Sequence, residues 1–482
     1  MIILTILYAL SALLLALYTV GHGILLIQYL RHRQHDPILP PASAYPAVTI
    51  QLPIYNERYV AIRLLDAIAA LDYSHDKFRI QILDDSDDAT TGIIAAHIQQ
   101  YPHLTIDHIR RPIREGYKAG ALAYGLQHTD DAFVAIFDAD FIPAPDFLKQ
   151  TITHLVTNER YAVVQTRWGH LNPNANGLTR AQLISIDNHF IIEQTGRNRS
   201  HWFVPFNGTG GIWRVAAIQD AGGWSDDTLT EDLDLSFRAQ LRGWQSLYLP
   251  DIVVPGELPP QLAAYRQQQA RWAKGGSQSF RKLIMPLWQS DQPMMVKVMA
   301  THHLVQYLPH LLMLIMLLLS PILIRRGSLS SLPLAPIGLI GLIPPVMYLV
   351  SQQVIGGAWG KRLLAFPILL MIGTGLIWQN ALAVLSGFFQ SKGEFRRTPK
   401  FASQWQTKGY TLRSQVAIIV QATLMLYSIW GVIVAWQSEK ALVPYFVVHV
   451  LSFATVALWD IRDQWRIQHI ATPQLLTETG ND

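Results

Sequence analysis

Phe133-Val134-Ala135-Ile136-Phe137-Asp138-Ala139-Asp140 is the stretch that decides the fold. Five apolar residues followed by two carboxylates one residue apart read as a short buried strand running straight into a charged turn. The pattern recurs upstream, where residues 78–83 lead into Asp84-Asp85-Ser86-Asp87-Asp88. Residues 47–52 and 105–109 are two more short buried strands, and residues 59–71, 90–100 and 118–128 between them carry helical patterns. Strands alternating with helices predict βαβ units around a mostly parallel, Rossmann-like α/β sheet over residues 45–258. Ligands of such sheets bind beyond the carboxyl ends of the strands, which is where both acidic clusters fall.

Outside that core the chain is far more apolar. Residues 2–30 hold no Lys, Arg, Asp or Glu; as a helix they rise ~43 Å, more than the ~30 Å hydrocarbon core of a bilayer. Arg31, His32, Arg33 and His35 follow, so residues 1–31 are expected to be an uncleaved anchor with its N-terminus outside and the next segment in the cytoplasm. Residues 259–300 read as amphipathic and interfacial. The C-terminal region, 301–482, has spans near 303–324, 332–354, 414–436 and 441–459. Residues 363–389 are also long enough to cross. Basic residues flank them on both sides (Lys361 and Arg362 before, Lys392, Arg396, Arg397 and Lys400 after), which predicts a segment that enters and leaves on the cytoplasmic face. In this topology Arg325 and Arg326 face outward, against the usual charge bias. Half the residues are apolar, 15% are charged and the formal net charge is +4. That excludes a disordered chain, and the charge is too mild to suggest a nucleic-acid binder. The absence of cysteine excludes disulfides, thiolate metal sites and thiol nucleophiles. The composition points to a membrane enzyme rather than a secreted scaffold, and the charge pattern leads us to expect a multi-pass protein of the inner or plasma membrane, in contact with lipid, with its sheet domain in the cytoplasm.

Several short segments carry chemistry. Asp138 and Asp140 can present oxygens to one hard cation, Mg2+ or Mn2+, completed by substrate phosphates; alone, the tripeptide also reads as a solvated turn. Asp84 and Asp85 can accept hydrogen bonds from a base or ribose, while Asp87 or Asp88 caps the helix that follows. Arg114-Glu115-Gly116-Tyr117-Lys118-Ala119-Gly120 opens a helix where backbone and Lys118 favour negative charge. Asp232, in Thr230-Glu231-Asp232, can take a proton from an attacking hydroxyl, or the tripeptide is only a helix start. Gln268, Arg271 and Trp272 share one helix face, Arg suited to a diphosphate and Trp to a sugar ring; headgroup anchoring is the alternative. His302 and His303 are expected to open a membrane span.

These pieces occur in one order: Leu52-Pro53-Ile54-Tyr55-Asn56-Glu57, the Asp84/Asp85 cluster, Asp138-Ala139-Asp140, Thr230-Glu231-Asp232, then Gln268 with Arg271-Trp272. The series resembles the family 2 inverting glycosyltransferases of the cellulose synthase superfamily. Val164-Gln165-Thr166-Arg167-Trp168, Phe206-Asn207-Gly208-Thr209 and Ala221-Gly222-Gly223-Trp224 look most like its cellulose-synthase-like A and C groups, makers of mannan, glucomannan and β-1,4-glucan backbones. The resemblance implies a GT-A catalytic domain and transfer of a hexose from UDP-glucose or GDP-mannose to a growing β-1,4-glycan. A glycolipid synthase acting on a lipid acceptor is the alternative. It implies nucleotide contacts by Tyr55, Glu57, Asp84, Asp85, Lys118, Gln268 and Arg271, a metal on Asp138 and Asp140, and Asp232 as general base. Trp272, Glu231, Phe206, Asn207, Gly208 and Thr209 would meet the acceptor. Phe395-Arg396-Arg397-Thr398-Pro399-Lys400, within 391–412, is similar to the gating loop of cellulose synthases, with Arg397 where those usually have an apolar residue.

Overall fold

The computed structural model describes residues 2–33, 44–329, 338–390, 393, 398, 400 and 415–475. Its centre is a seven-stranded sheet of order β3-β2-β1-β4-β6-β5-β7. The strands are β1 (Val48–Ile54), β2 (Phe78–Asp84), β3 (Thr105–Ile109), β4 (Phe133–Ile136), β5 (Tyr161–His170), β6 (Gly211–Arg214) and β7 (Gln245–Gly256). β1 lies between β2 and β4, parallel to both, and β5 is parallel to β7. The mostly parallel sheet has one departure, β6, which runs antiparallel between β4 and β5. The chain moves from β1 outward to β2 and β3 and then returns to β4 on the other side. This reversal leaves a crevice past the ends of β1 and β4, the usual place for a ligand in an open α/β sheet.

Each face of the sheet is covered by helices. On one side Ile50, Leu52 and Ile54 pack against Leu64 and Ile68 of α2 (Ala61–Ala69), Ile94 of α3 (Thr90–His97) and Phe147, Leu148 and Ile152 of α5 (Phe147–Thr157). On the other, Val134 and Ile136 meet α4 (Tyr117–Leu126), α8 (Val215–Asp220) and α9 (Glu231–Leu241) through Leu122, Ile218 and Leu235. Alternation along a strand sends successive side chains to opposite faces, so a strand covered on both sides is apolar almost throughout. Two exceptions, Gln51 and Gln81, bond to each other at 3.0 Å beneath Gly125. A Cβ at Gly125 would lie 2.5 Å from Gln51 Nε2, so the glycine makes room for this buried polar pair.

The sheet domain rests on long helices. Five described helices are long and apolar enough to cross a membrane: Ile2–His32 (α1), Leu308–Arg325 (α12), Gly338–Ile355, Val416–Ser438 and Lys440–Arg466. The segment expected at 363–389 is a pair of helices, Trp359–Gly375 and Ile377–Phe389, bent by 49°. The span expected to begin at His303 starts later. His302 and His303 close α11 (Met294–Leu304), and α12 follows after a break, with Pro309 in its first turn. Both histidines are buried, His302 against Tyr18 of α1 with ring centroids 4.5 Å apart. α10 (Leu262–Gln289) joins the two halves. Its Arg266 pairs with buried Asp460 of the last helix at 2.5 Å, while Lys274 and Gln278 hold the end of the bent pair at Gln390. A π-helical turn (His189–Gln194) and α7 (Thr195–Arg199) pack beside α1, while α6 (Gly177–Asn188), which runs into that turn, packs through Leu178 on Ile372 and Val456 of the C-terminal helices.

Candidate active site

The loops after β1 and β2 are stitched together at the crevice. Asn56 has φ +57 and exchanges bonds with the next loop: Nδ2 donates to Asp87 Oδ1 at 2.7 Å, and Oδ1 accepts from the Asp87 amide at 3.0 Å. Asp88 Oδ1 accepts from the Thr90 amide at 2.9 Å, but the residue that caps the helix is Ala89, so neither Asp87 nor Asp88 occupies the expected cap position. Glu57 is buried, and its carbonyl accepts from Val60 and Ala61 where α2 begins. Asp84 and Asp85 diverge. Asp84 is turned into the sheet, 1% exposed, accepting from His108 Nε2 and the Ser86 amide, both at 2.9 Å. Burial raises its pKa, but these bonds outweigh burial and bring it down to about 2. Asp85 takes Arg111 through two nitrogens. Arg114 lies 3.4 Å over the Tyr55 ring and 5.0 Å from that of Tyr117. Tyr55, Asp85, Arg111, Arg114 and Tyr117 thus form a flat cationic and aromatic shelf of the kind a purine or pyrimidine ring stacks on. Sequence reading gave Arg111 no role and took Arg114 and Tyr117 only as part of the anion-favouring helix start, although three arginines (Arg110, Arg111 and Arg114) between a strand end and a glycine-containing helix start are a usable signal for an anionic ligand.

Deeper in the crevice Lys118, at the start of α4, donates to Asp138 Oδ1 at 2.6 Å and to the Gly208 carbonyl at 2.9 Å. Burial works against its charge, but Asp138 and Glu231 raise its pKa. The Asp138 amide donates to Thr209 Oγ1 at 2.9 Å. The four residues expected at the acceptor therefore divide. Phe206 is buried edge-on to Trp213, Thr209 is buried beneath Asp138, and Asn207 and Gly208 stand at the cleft. Gly208 has φ +85, and a Cβ there would lie 2.8 Å from Asp232 Oδ2. Asp232 opens α9, where the helix N-terminus favours a negative charge. Burial raises its pKa against the opposing pull of Lys118 and Arg271. The neighbouring Glu231 is raised to about 7 by burial and by the charge of Asp232. α10 braces this turn from behind: Leu229 N donates to Gln278 Oε1 at 2.9 Å, and Gly275 leaves room for Thr230. Gln268, Arg271 and Trp272 are half-buried on α10, Arg271 within electrostatic reach of both acidic residues.

The donor atoms suit a hard divalent cation. Asp138 has a side chain 35% exposed with one oxygen on Lys118, and one or two carboxylates completed by substrate phosphates are a common arrangement for Mg2+ and Mn2+. Among the described residues no group of three or more His, Cys, Asp or Glu could enclose a metal unaided. Asp140 is buried, and its Oδ2 accepts from the Glu257 amide at 3.0 Å and from Lys400 Nζ at 2.6 Å. Of the gating-type motif, Thr398 is buried and Lys400 is at Asp140, while Phe395, Arg396 and Arg397 lie outside the described residues.

The crevice therefore joins a cluster of aromatic rings and arginines, a lysine–carboxylate pair, and a buried carboxylate within reach of an arginine. Residues 46–275 match the model described as glycosyltransferase like family 2. The chain is 46% identical over 248 residues to a probable glucomannan 4-beta-mannosyltransferase 4 of Oryza sativa subsp. japonica, covering 50% of this chain and 45% of that protein. It is 45% identical over 260 residues to glucomannan 4-beta-mannosyltransferase 2 of Arabidopsis thaliana, covering 52% and 48%. The chain thus spans about half the length of the curated relatives it matches. Among solved structures, a mannosyltransferase of Pyrobaculum calidifontis in complex with GDP-Man and Mn2+ superposes with TM-score 0.57 at 18% identity, over 79% of this chain and 99% of that one, a likeness of fold. Residues 46–275 thus match a family 2 glycosyltransferase model and share the GT-A fold of a solved mannosyltransferase, and they are carried on helices long and apolar enough to cross a membrane.

Proposed function

We propose that the protein transfers mannose from GDP-mannose to the end of a growing β-1,4-linked polysaccharide, inverting the anomeric centre, with its catalytic domain on the cytoplasmic face of the cell membrane. The observation that carries the reading is the approach of Gly208 to Asp232 beside Lys118 and Arg271. It joins a buried carboxylate to the two cations a departing diphosphate requires. The guanine stacks on the shelf of Tyr55, Arg114 and Tyr117, Lys118 and Arg271 take up diphosphate charge, and Asn207 and Trp272 border the acceptor. In a single displacement the acceptor oxygen forms its bond to C1 as the bond from C1 to the phosphate oxygen breaks. Asp232 receives the hydroxyl proton, and the charge that develops on the leaving diphosphate is met by cations already in place. Asp138, with Asp140 once Lys400 is displaced, would hold a divalent ion, which supplies Lewis-acid neutralisation of the diphosphate. The relatives' 4-beta-mannosyltransferase names support mannose and a glycan product. Arg31 and Arg33 at the end of α1 support the cytoplasmic placement. Repeated addition without release of the chain is part of the same proposal.

The test is incubation of purified full-length protein with radiolabelled GDP-mannose, UDP-glucose and other donors, with Mn2+ or Mg2+, followed by sizing and endomannanase digestion of the product. An ethanol-precipitable, mannanase-sensitive polymer is expected, and a product extractable into organic solvent overturns the polymer assignment. Asp232→Asn is expected to lower turnover by about 10³-fold, within the range for loss of a general base, while GDP binding stays within twofold. Retained turnover removes Asp232 from its role.

A further inference from the structure

Behind Asn207 lies a buried ionic cluster that the proposed chemistry does not use. Its centre is Glu193, in the π-helical turn His189–Gln194. Glu193 Oε2 lies 3.3 Å from His189 Nδ1 and 3.3 Å from Arg197 Nη1, and Oε1 accepts from Asn188 Nδ2 at 3.2 Å. From the membrane side, His22 of α1 brings Nε2 to 3.7 Å from Oε1. Burial pushes the Glu193 carboxyl up, but the imidazole of His189 and the charges around it hold it well below the usual range, so it is ionised. A π-helical turn costs regular hydrogen bonding and is kept mostly where it places particular side chains.

The hydrogen bonds leading outward from Glu193 have only one consistent polarity. Gln194 Nε2 donates to the Pro205 carbonyl at 3.1 Å, which fixes the orientation of that amide. The same nitrogen donates to Asn207 Oδ1 at 2.5 Å, which fixes Asn207 in turn. Asn207 Nδ2 therefore faces His189 Nε2 at 3.2 Å as a donor, and that ring nitrogen must accept. The imidazole proton then sits on Nδ1, pointed at Glu193. The backbone amide of Asn207 donates to Gln165 Oε1 at 2.8 Å, so Asn207 is held from both its side chain and its main chain. The next residue is Gly208, which receives Lys118 and abuts Asp232.

We propose that Glu193 and His189 are positioning residues for the acceptor: the carboxylate sets the imidazole tautomer, the imidazole orients the Asn207 amide, and Asn207 keeps Gly208 against Asp232. α1 borders this cluster through His22. The acceptor role rests on the transferase reading above, whereas the ordering of residues 206–209 does not. The test therefore has two arms, both on the full-length protein in detergent or nanodiscs. In Glu193→Gln, hydrogen exchange at residues 206–209 is expected to speed up about tenfold, the effect of losing one charge-assisted bond, with residues 133–136 unchanged. Unchanged exchange at 206–209 overturns the proposal whether or not any substrate has been found. In kinetics, the same variant is expected to raise KM for a mannooligosaccharide acceptor about tenfold and leave KM for GDP-mannose within twofold. A parallel loss in both KM values and kcat marks a merely structural role and also overturns it. Should Glu193→Gln fail to fold, His189→Gln carries the same two readouts. A wild-type protein that transfers nothing refutes the transferase reading and leaves the exchange arm to decide the loop.

Discussion

At the proposed donor end of the cleft, Tyr55, Asp85, Arg111 and Arg114 all come from residues 55–114 and lean on the ends of adjacent parallel strands. At the proposed acceptor end, Asn207, Asp232 and Arg271 come from separate elements. These are held in turn by the π-helical turn, by α10 and, through α10, by the bent helix pair and the last apolar helix. The donor shelf is built inside the sheet domain and needs few distant contacts. The acceptor wall is an assembly of pieces, several of them braced by helices that belong to the membrane region. Changes at the donor end should therefore act locally and mainly on donor affinity. Changes at the acceptor end should spread to kcat, because Asp232 shares that wall.

Gly208→Ala attacks the acceptor wall most directly. The residue has φ +85, unfavourable for alanine, and the added methyl would sit 2.8 Å from Asp232 Oδ2. A displaced base should lower kcat by about 100-fold, the scale of a small misplacement of a reacting group. GDP affinity should stay near wild type. If kcat holds and GDP affinity falls, the division between the two ends is wrong. Arg111→Ala tests the other end. It removes the partner of a carboxylate that is only 7% exposed and breaks the bonds from Arg111 to the Glu115 and Tyr117 carbonyls. Donor KM should rise about tenfold, the scale of a lost charge-assisted pair, with kcat at saturating donor within threefold. Titration of GDP by calorimetry measures the same loss without turnover.

The two ends also differ in how much the amino-acid sequence discloses. β1, β2 and β4 are legible because each is a largely apolar run closed by a polar turn, and that pattern places Tyr55, Asp85 and Asp138 at strand ends without further information, whereas β3 (Thr105-Ile106-Asp107-His108-Ile109), expected to be buried, is a half-buried edge strand. β6 is not legible: Gly211–Arg214 offers Ile212 and Trp213 between glycines and an arginine, and nothing local states that it runs antiparallel between β4 and β5. Asp84 and Asp85 look alike in sequence, and only the cross-strand placement of His108 in β3 turns the first inward. The break after His303 follows from packing of α11 on α1, which apolar composition does not encode. Phe206 and Thr209 read as ligand contacts within their motif, yet both are buried supports. Local pattern locates the donor end; the acceptor end depends on contacts between residues far apart in sequence.

The smallest expected effect concerns Glu231, which lies on the acceptor wall and titrates as one of a pair with Asp232. Burial and the charge of Asp232 raise the Glu231 pKa from its ordinary value near 4.5 to about 7. A carboxyl whose folded pKa is raised favours the folded state while it is protonated in both states, below pH ~4.5, and that contribution is lost as pH rises through about 7. The wild-type Tm should therefore fall by a few degrees (~2–4 °C,) between pH 5 and pH 7.5 relative to Glu231→Gln, which keeps the shape and cannot ionise. Differential scanning fluorimetry of both proteins across that range measures it. Parallel pH curves would mean that Lys118 and Arg271 already neutralise Glu231, and the acceptor wall would then be as locally compensated as the donor shelf. Diverging curves would place an uncompensated carboxyl beside Asp232, leaving the acceptor wall sensitive to proton uptake.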